Sequence, residues 1–99
     1  MTDDVVADVL TFLRGEPDWF DLYKAFERMR DDSNRQIGQR KTSTLGGPAL
    51  DHFTQSAQVY RHSRSKWPQG YTMANAMQTS DARKFVQELV RNWLDRRYP

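Results

Sequence analysis

Apolar side chains fall in four runs along this chain, and the spacing within each run is helical. The clearest is the last, Thr79 to Tyr98, where Ala82, Phe85, Val86, Leu89, Val90 and Trp93 recur at i, i+3, i+4, i+7, i+8 and i+11. That recurrence lines one face of an α-helix. Thr79 or Ser80 can cap its start, Asp81 lies in the first turn, and Arg96 and Arg97 lie in the last. Each charge has the sign that the helix dipole favours. The first run predicts a helix over residues 3–14, with Thr2 as cap, an apolar arc of Val5, Val6, Val9, Leu10, Phe12 and Leu13, and Gly15 as stop. Pro17 suits the first turn of a second helix reaching about Asp32, with Trp19, Leu22, Tyr23, Phe26 and Met29 on one arc. The short connection makes these two an antiparallel hairpin. A third helix starts at Pro48, carries Leu50, Phe53, Ala57 and Tyr60, and ends between His62 and Ser65.

Two stretches break the pattern. Ser33 to Gly47 holds Gly38, Gly46 and Gly47 and only Ile37 and Leu45 as apolar anchors. A loop of that length without structure of its own is uncommon in a compact domain, which makes it either mobile or functional. Trp67 to Gln78 is shorter and richer in apolar residues; Thr72 can cap a turn in which Met73 and Met77 meet. It reads as a cover over the core. The pattern therefore predicts an all-α fold, a compact bundle of four main helices, in a single domain over residues 1–99.

Composition narrows the picture. The hydrophobic share is 37%, so the core is small, and the twelve aromatic residues have to carry it. Trp19, Phe26, Phe53, Tyr60, Phe85 and Trp93 are the expected core rings. With no cysteine, there are no disulfides, thiolate zinc sites or cysteine nucleophiles. The opening Met1-Thr2-Asp3-Asp4 lacks the basic and apolar regions of a signal peptide, and no apolar run has the length of a membrane span. The expectation is a cytoplasmic protein with no membrane partner.

Net charge is only +2, but its placement is uneven. Asp3, Asp4, Asp8, Glu16, Asp18 and Asp21 make the first third acidic. Arg35, Arg40, Lys41, Arg61, Arg64 and Lys66 make the middle basic, and between Asp32 and Asp81 the only acid is Asp51. That middle is a candidate anion-facing surface, or simply a solvated, arginine-rich set of loops. On the final helix, Lys84, Glu88, Arg91 and Asp95 share the outer face and can pair with one another, which makes that helix a self-compensated wall.

The two histidines, His52 and His62, are ten positions apart with Asp51 as their only acidic neighbour, which does not suit a metal site. No nucleotide, hydrolase or metalloprotease motif is present, and no cofactor is expected. The remaining chemistry lies in Tyr60-Arg61-His62-Ser63-Arg64-Ser65-Lys66-Trp67. Three fixed cations, an imidazole, two hydroxyls and two aromatics are groups that bind phosphate and stack on bases. Arg61, His62, Arg64 and Lys66 are the candidate ligand-binding residues. His62 and Arg61 are also a candidate pair for metal-independent RNA cleavage, with imidazole moving the 2′-hydroxyl proton and guanidinium steadying the phosphorane. The bland alternative is a helix C-terminus enriched in basic residues by the dipole.

Several segments in order match a known pattern: Leu22-Tyr23-Lys24 through Asp31-Asp32, Phe53-Thr54-Gln55-Ser56-Ala57-Gln58, Arg61-His62, and Ser80-Asp81-Ala82-Arg83 through Trp93-Leu94. This order resembles an uncharacterised bacterial helical family, itself similar to HEPN-like bundles. Many of those are RNases or dimeric nucleic-acid-associated subunits of toxin–antitoxin and phage-defence systems. Gln55 and Gln58 stand where the family has histidine and asparagine. Arg61 and His62 are adjacent, whereas the HEPN nuclease motif places four to six residues between them. The resemblance thus implies a HEPN-like fold, without implying RNase activity. The expected function is binding of RNA or another phosphate-bearing ligand, with a non-catalytic protein-interaction subunit, as homodimer or small partner of a larger effector, as the alternative.

Overall fold

The computed structural model describes residues 4–36 and 49–98, and among them lie four α-helices and a 3₁₀ turn. We label the helices α1 (Asp4–Phe12), α2 (Trp19–Gln36), α3 (Leu50–Arg61) and α4 (Thr79–Arg97); the 3₁₀ turn is Arg64–Lys66. Among the described residues there is no strand. The expected all-α bundle is what forms.

At nine residues, α1 is too short to be stable alone and depends on packing. Val9 is fully buried, and Arg28 of α2 reaches Asp8 at 3.1 Å, so α1 lies along α2. Its last turn tightens as the Arg14 N–H bonds the Thr11 carbonyl at 3.3 Å. Gly15 follows at φ 69°, a left-handed conformation that costs glycine nothing and ends the helix.

The start of α2 differs from expectation. Asp18 is the cap: its Oδ1 accepts the Asp21 N–H at 2.9 Å, and its own N–H reaches Asp21 Oδ2 at 3.4 Å. This reciprocal pair satisfies two donors that a helix start leaves open, and it places Pro17 ahead of the helix instead of in its first turn. The other end runs past Asp32 to Gln36. A tertiary contact explains the extension, because Asp32 is buried and its Oδ2 accepts the Trp93 indole N–H at 2.9 Å. Of the expected break Ser33–Gly47, Ser33 to Gln36 are thus helical; the rest of it lies outside the described residues, as do Thr2 and Pro48.

Phe53 of α3 is where α2, α3 and α4 meet. Its ring centroid lies 5.4 Å from Trp19, 5.5 Å from Phe26 and 4.9 Å from Phe85. Such pairs add about 0.5–1.5 kcal/mol each to the area they bury. Trp19, Phe26, Phe53 and Trp93 are buried, while Tyr60 and Phe85 pack half-buried against them. Ala82, Val86, Leu89 and Trp93 form the buried stripe of α4.

Gln78, not Thr79 or Ser80, occupies the cap position of α4, with no side-chain bond. The helix start is fixed instead by a buried tertiary bond, Met77 N–H to Ser56 Oγ at 2.7 Å. The segment before it does lie over the core, with Ala76 and Met77 buried. Thr72 caps its turn, its Oγ1 accepting the N–H groups of Ala74 and Asn75 at 3.2 and 3.4 Å. Met73 is 51% exposed, so the two methionines point to different surroundings. On the outer face of α4, Arg91 pairs with Glu88 at 3.6 Å.

Candidate functional site

The end of α3 separates two residues that are neighbours in sequence. Arg61 is still helical, and its guanidinium carbon lies 4.2 Å from the centre of the Tyr23 ring. That cation–π contact fixes the direction of the side chain. His62 is already extended at φ −128°, ψ 163°. Its N–H still bonds the Gln58 carbonyl at 3.1 Å, and its own carbonyl accepts the Trp67 indole N–H at 3.0 Å. Trp67 thereby folds the chain back into the Arg64–Lys66 turn, closed by Lys66 N–H to the Ser63 carbonyl at 2.8 Å. Arg64 lies over the Trp67 ring at 5.6 Å, and His62, Arg64 and Lys66 are exposed.

Beside this turn lies a cleft of about 500 Å³, bounded by the starts of α2 and α4 and the end of α3. Tyr60 and Arg61 come from α3, Thr79 and Arg83 from α4, and Asp18, Trp19 and Phe20 from the start of α2. Arg83 is held in place by its Nε–H, which donates to the Pro17 carbonyl at 2.9 Å. The rest of its five-donor fork has no carboxylate to meet. Among the described residues, no acidic oxygen lies within 4.0 Å of either Arg61 or Arg83.

The wall behind the two arginines is aromatic and rigid. Trp19 stacks on Tyr60 at 4.7 Å with an interplanar angle of 11°, and on Phe53 beyond it. Trp19 is only 5% exposed, yet its indole N–H has no acceptor among the described residues. A buried donor left in that state costs about 1–3 kcal/mol. Next to it, Phe20 is 56% exposed, with the Lys24 ammonium 5.3 Å from the ring centre.

Set against protein-family models, curated proteins and solved structures, the chain gives no significant match.

Of the residues singled out in the sequence, Arg61 lines the cleft; His62, Arg64 and Lys66 do not, and stand on the exposed turn next to it. The Arg61–His62 pairing required for general acid–base cleavage is therefore not gathered in this concavity. Arg40, Lys41 and the side chain of Arg35, the other cations of the basic middle, lie outside the described residues. Arg83 is the residue that sequence reasoning missed, because its helix reads as a self-compensated wall. One signal sets it apart: positions 79, 80, 86 and 87, its neighbours on a helix surface, are Thr79, Ser80, Val86 and Gln87, with no acid among them.

Elsewhere, α1 and α4 border an apolar concavity of about 400 Å³ formed by Leu10, Leu13, Val90 and Leu94, with Leu10 52% exposed. His52 Nδ1 lies 3.1 Å from the Tyr71 hydroxyl, a contact that ties the 67–78 segment to α3. Among the described residues, no group of three or more His, Cys, Asp or Glu could hold a metal ion. No helix among them is long and apolar enough to cross a membrane.

Proposed function

We propose that this domain binds RNA or another phosphate-bearing ligand through the cleft between α2, α3 and α4. One observation carries the reading: Arg61 and Arg83 line the same cleft and neither has a carboxylate partner among the described residues. A ring face holds Arg61 and a carbonyl holds Arg83, and with no acid among the described residues to neutralise them both charges remain to attract an anion. Planar, five-donor forks are suited to phosphate oxygens. The exposed Arg64, Lys66 and His62 extend the same positive surface along the adjoining turn, where further phosphates of a strand would lie. The HEPN-like reading of the bundle belongs with this proposal and rests on the order of the sequence segments from Leu22 to Leu94.

The test is fluorescence anisotropy with a labelled single-stranded RNA over a series of salt concentrations. Binding should weaken steeply with salt, and Arg61→Gln and Arg83→Gln should each weaken it. Each substitution should also make the salt slope shallower, by about 0.7 for every phosphate that is no longer neutralised. Wild-type affinity in the double variant, with an unchanged thermal melt, would remove the cleft from the binding surface.

A further inference from the structure

The arrangement around the two arginines goes beyond phosphate binding, and the following inference rests on that reading of the cleft. We infer that the cleft receives one unstacked nucleotide, its phosphate between Arg61 and Arg83 and its base on the exposed ring of Phe20.

Phe20 is the first observation. It sits in the first turn of α2 between the capping pair Asp18 and Asp21, with Trp19 and Leu22 beside it fully packed into the core. A phenylalanine more than half exposed at the mouth of a concavity contributes little to the core. It does offer a flat apolar surface to a planar ligand. Stacking on such a ring is tolerant of sequence, because every base has a π-face.

The second observation is the distribution of charge. Asp18 lines the cleft together with Phe20, and one of its oxygens is committed to the Asp21 N–H. A carboxylate there repels phosphate, so the anionic end of a nucleotide is directed to the Arg61–Arg83 side and its uncharged base to the Phe20 side. The third observation is size. About 500 Å³ lies within the range of small-ligand sites and leaves room for a single nucleotide. The Tyr60–Trp19–Phe53 stack supports the wall, so an incoming base adds to an existing surface without ordering a loop.

A base inside a duplex is stacked on both sides and has no free face for Phe20. The domain should therefore prefer unpaired strands. A nucleotide unit can come from a strand or from a free nucleoside monophosphate, and the basic turn Arg64–Lys66 favours the strand.

The experiment compares four probes by anisotropy or competition: a single-stranded oligoadenylate, an abasic ribose–phosphate oligomer of the same length, an RNA duplex, and adenosine monophosphate. The intact strand should bind about tenfold more tightly than the abasic one. Phe20→Ala should lower it to the abasic level while leaving abasic binding and the salt slope unchanged, and Phe20→Trp should restore the difference. Adenosine monophosphate competing as well as the strand would assign the same nucleotide site to free nucleotides. Equal binding of intact and abasic strands, or indifference to Phe20→Ala, overturns the base site and leaves the phosphate reading standing. If no probe binds, both fall. Because Phe20 is exposed, its variants should fold, and a thermal melt checks this.

Discussion

Two buried tryptophans mark two ends of this bundle, and they are finished differently. Trp93 of α4 is 1% exposed, and its indole N–H reaches the carboxylate of Asp32, itself buried, at 2.9 Å. Trp19 of α2 is buried almost as completely, stacked between Tyr60 and Phe53, and its indole N–H has no acceptor among the described residues. The difference extends to the surroundings. Around Trp93, the polar groups are used to hold α2 against α4. Around Trp19, Arg61 and Arg83 have no acidic partner among the described residues, and Phe20 is left outside the core. Where internal partners are complete, the polar groups specify the fold. Where they are incomplete, the same groups are available to a ligand, at some cost to stability.

The largest expected effect tests that contrast directly. Trp93→Phe and Trp19→Phe remove similar volumes, and both should destabilise the domain through poorer packing. Only the first also takes a donor away from a buried carboxylate. Trp93→Phe should therefore exceed Trp19→Phe by about 1–3 kcal/mol in urea unfolding. Equal losses would mean that the paired and unpaired indoles differ in geometry alone.

A smaller effect sharpens the cleft end. Asp18→Ala removes the cap of α2 and should cost about 1 kcal/mol, while relieving the repulsion that Asp18 exerts on a bound phosphate. Stability falls and RNA affinity rises. Asp18→Asn keeps the cap, so melting should stay within about 0.5 kcal/mol of the parent while the affinity gain remains. Anisotropy and chemical denaturation on the same samples separate the two signs.

The smallest effect is expected at the exposed Arg91–Glu88 pair of α4. Arg91→Ala should change stability by no more than about 0.5 kcal/mol and leave RNA binding where it was. A marked loss of binding there would move the anion surface from the cleft to the outer face of α4.

The four helices were legible in the chain because a period of 3.6 is a local property. Val86, Leu89 and Trp93 declare their shared face without reference to any other segment. Gly15 likewise announces the end of α1. The cleft was only half legible. Arg61 stood out through the residues next to it, whereas Arg83 was missed, its one signal being the acids it lacks at helical spacing. The start of α2 was displaced: Pro17 reads as part of its first turn, whereas Asp18 supplies the capping acceptor and the helix begins at Trp19.

By itself, then, the sequence determined the approximate extent of the described helices, their buried faces, and the residue types on hand for anion binding. Those follow from side-chain volume, dihedral preference and charge, which act over one or two turns. Only the tertiary structure decided which polar groups find partners: Asp32 with Trp93, Ser56 with Met77, Arg83 with the Pro17 carbonyl. It also parted Arg61 from His62 and placed Arg61 and Arg83 in the lining of one cleft. Hydrogen bonds and charges act over a few ångströms of space, and packing, not sequence separation, sets which groups come within that distance.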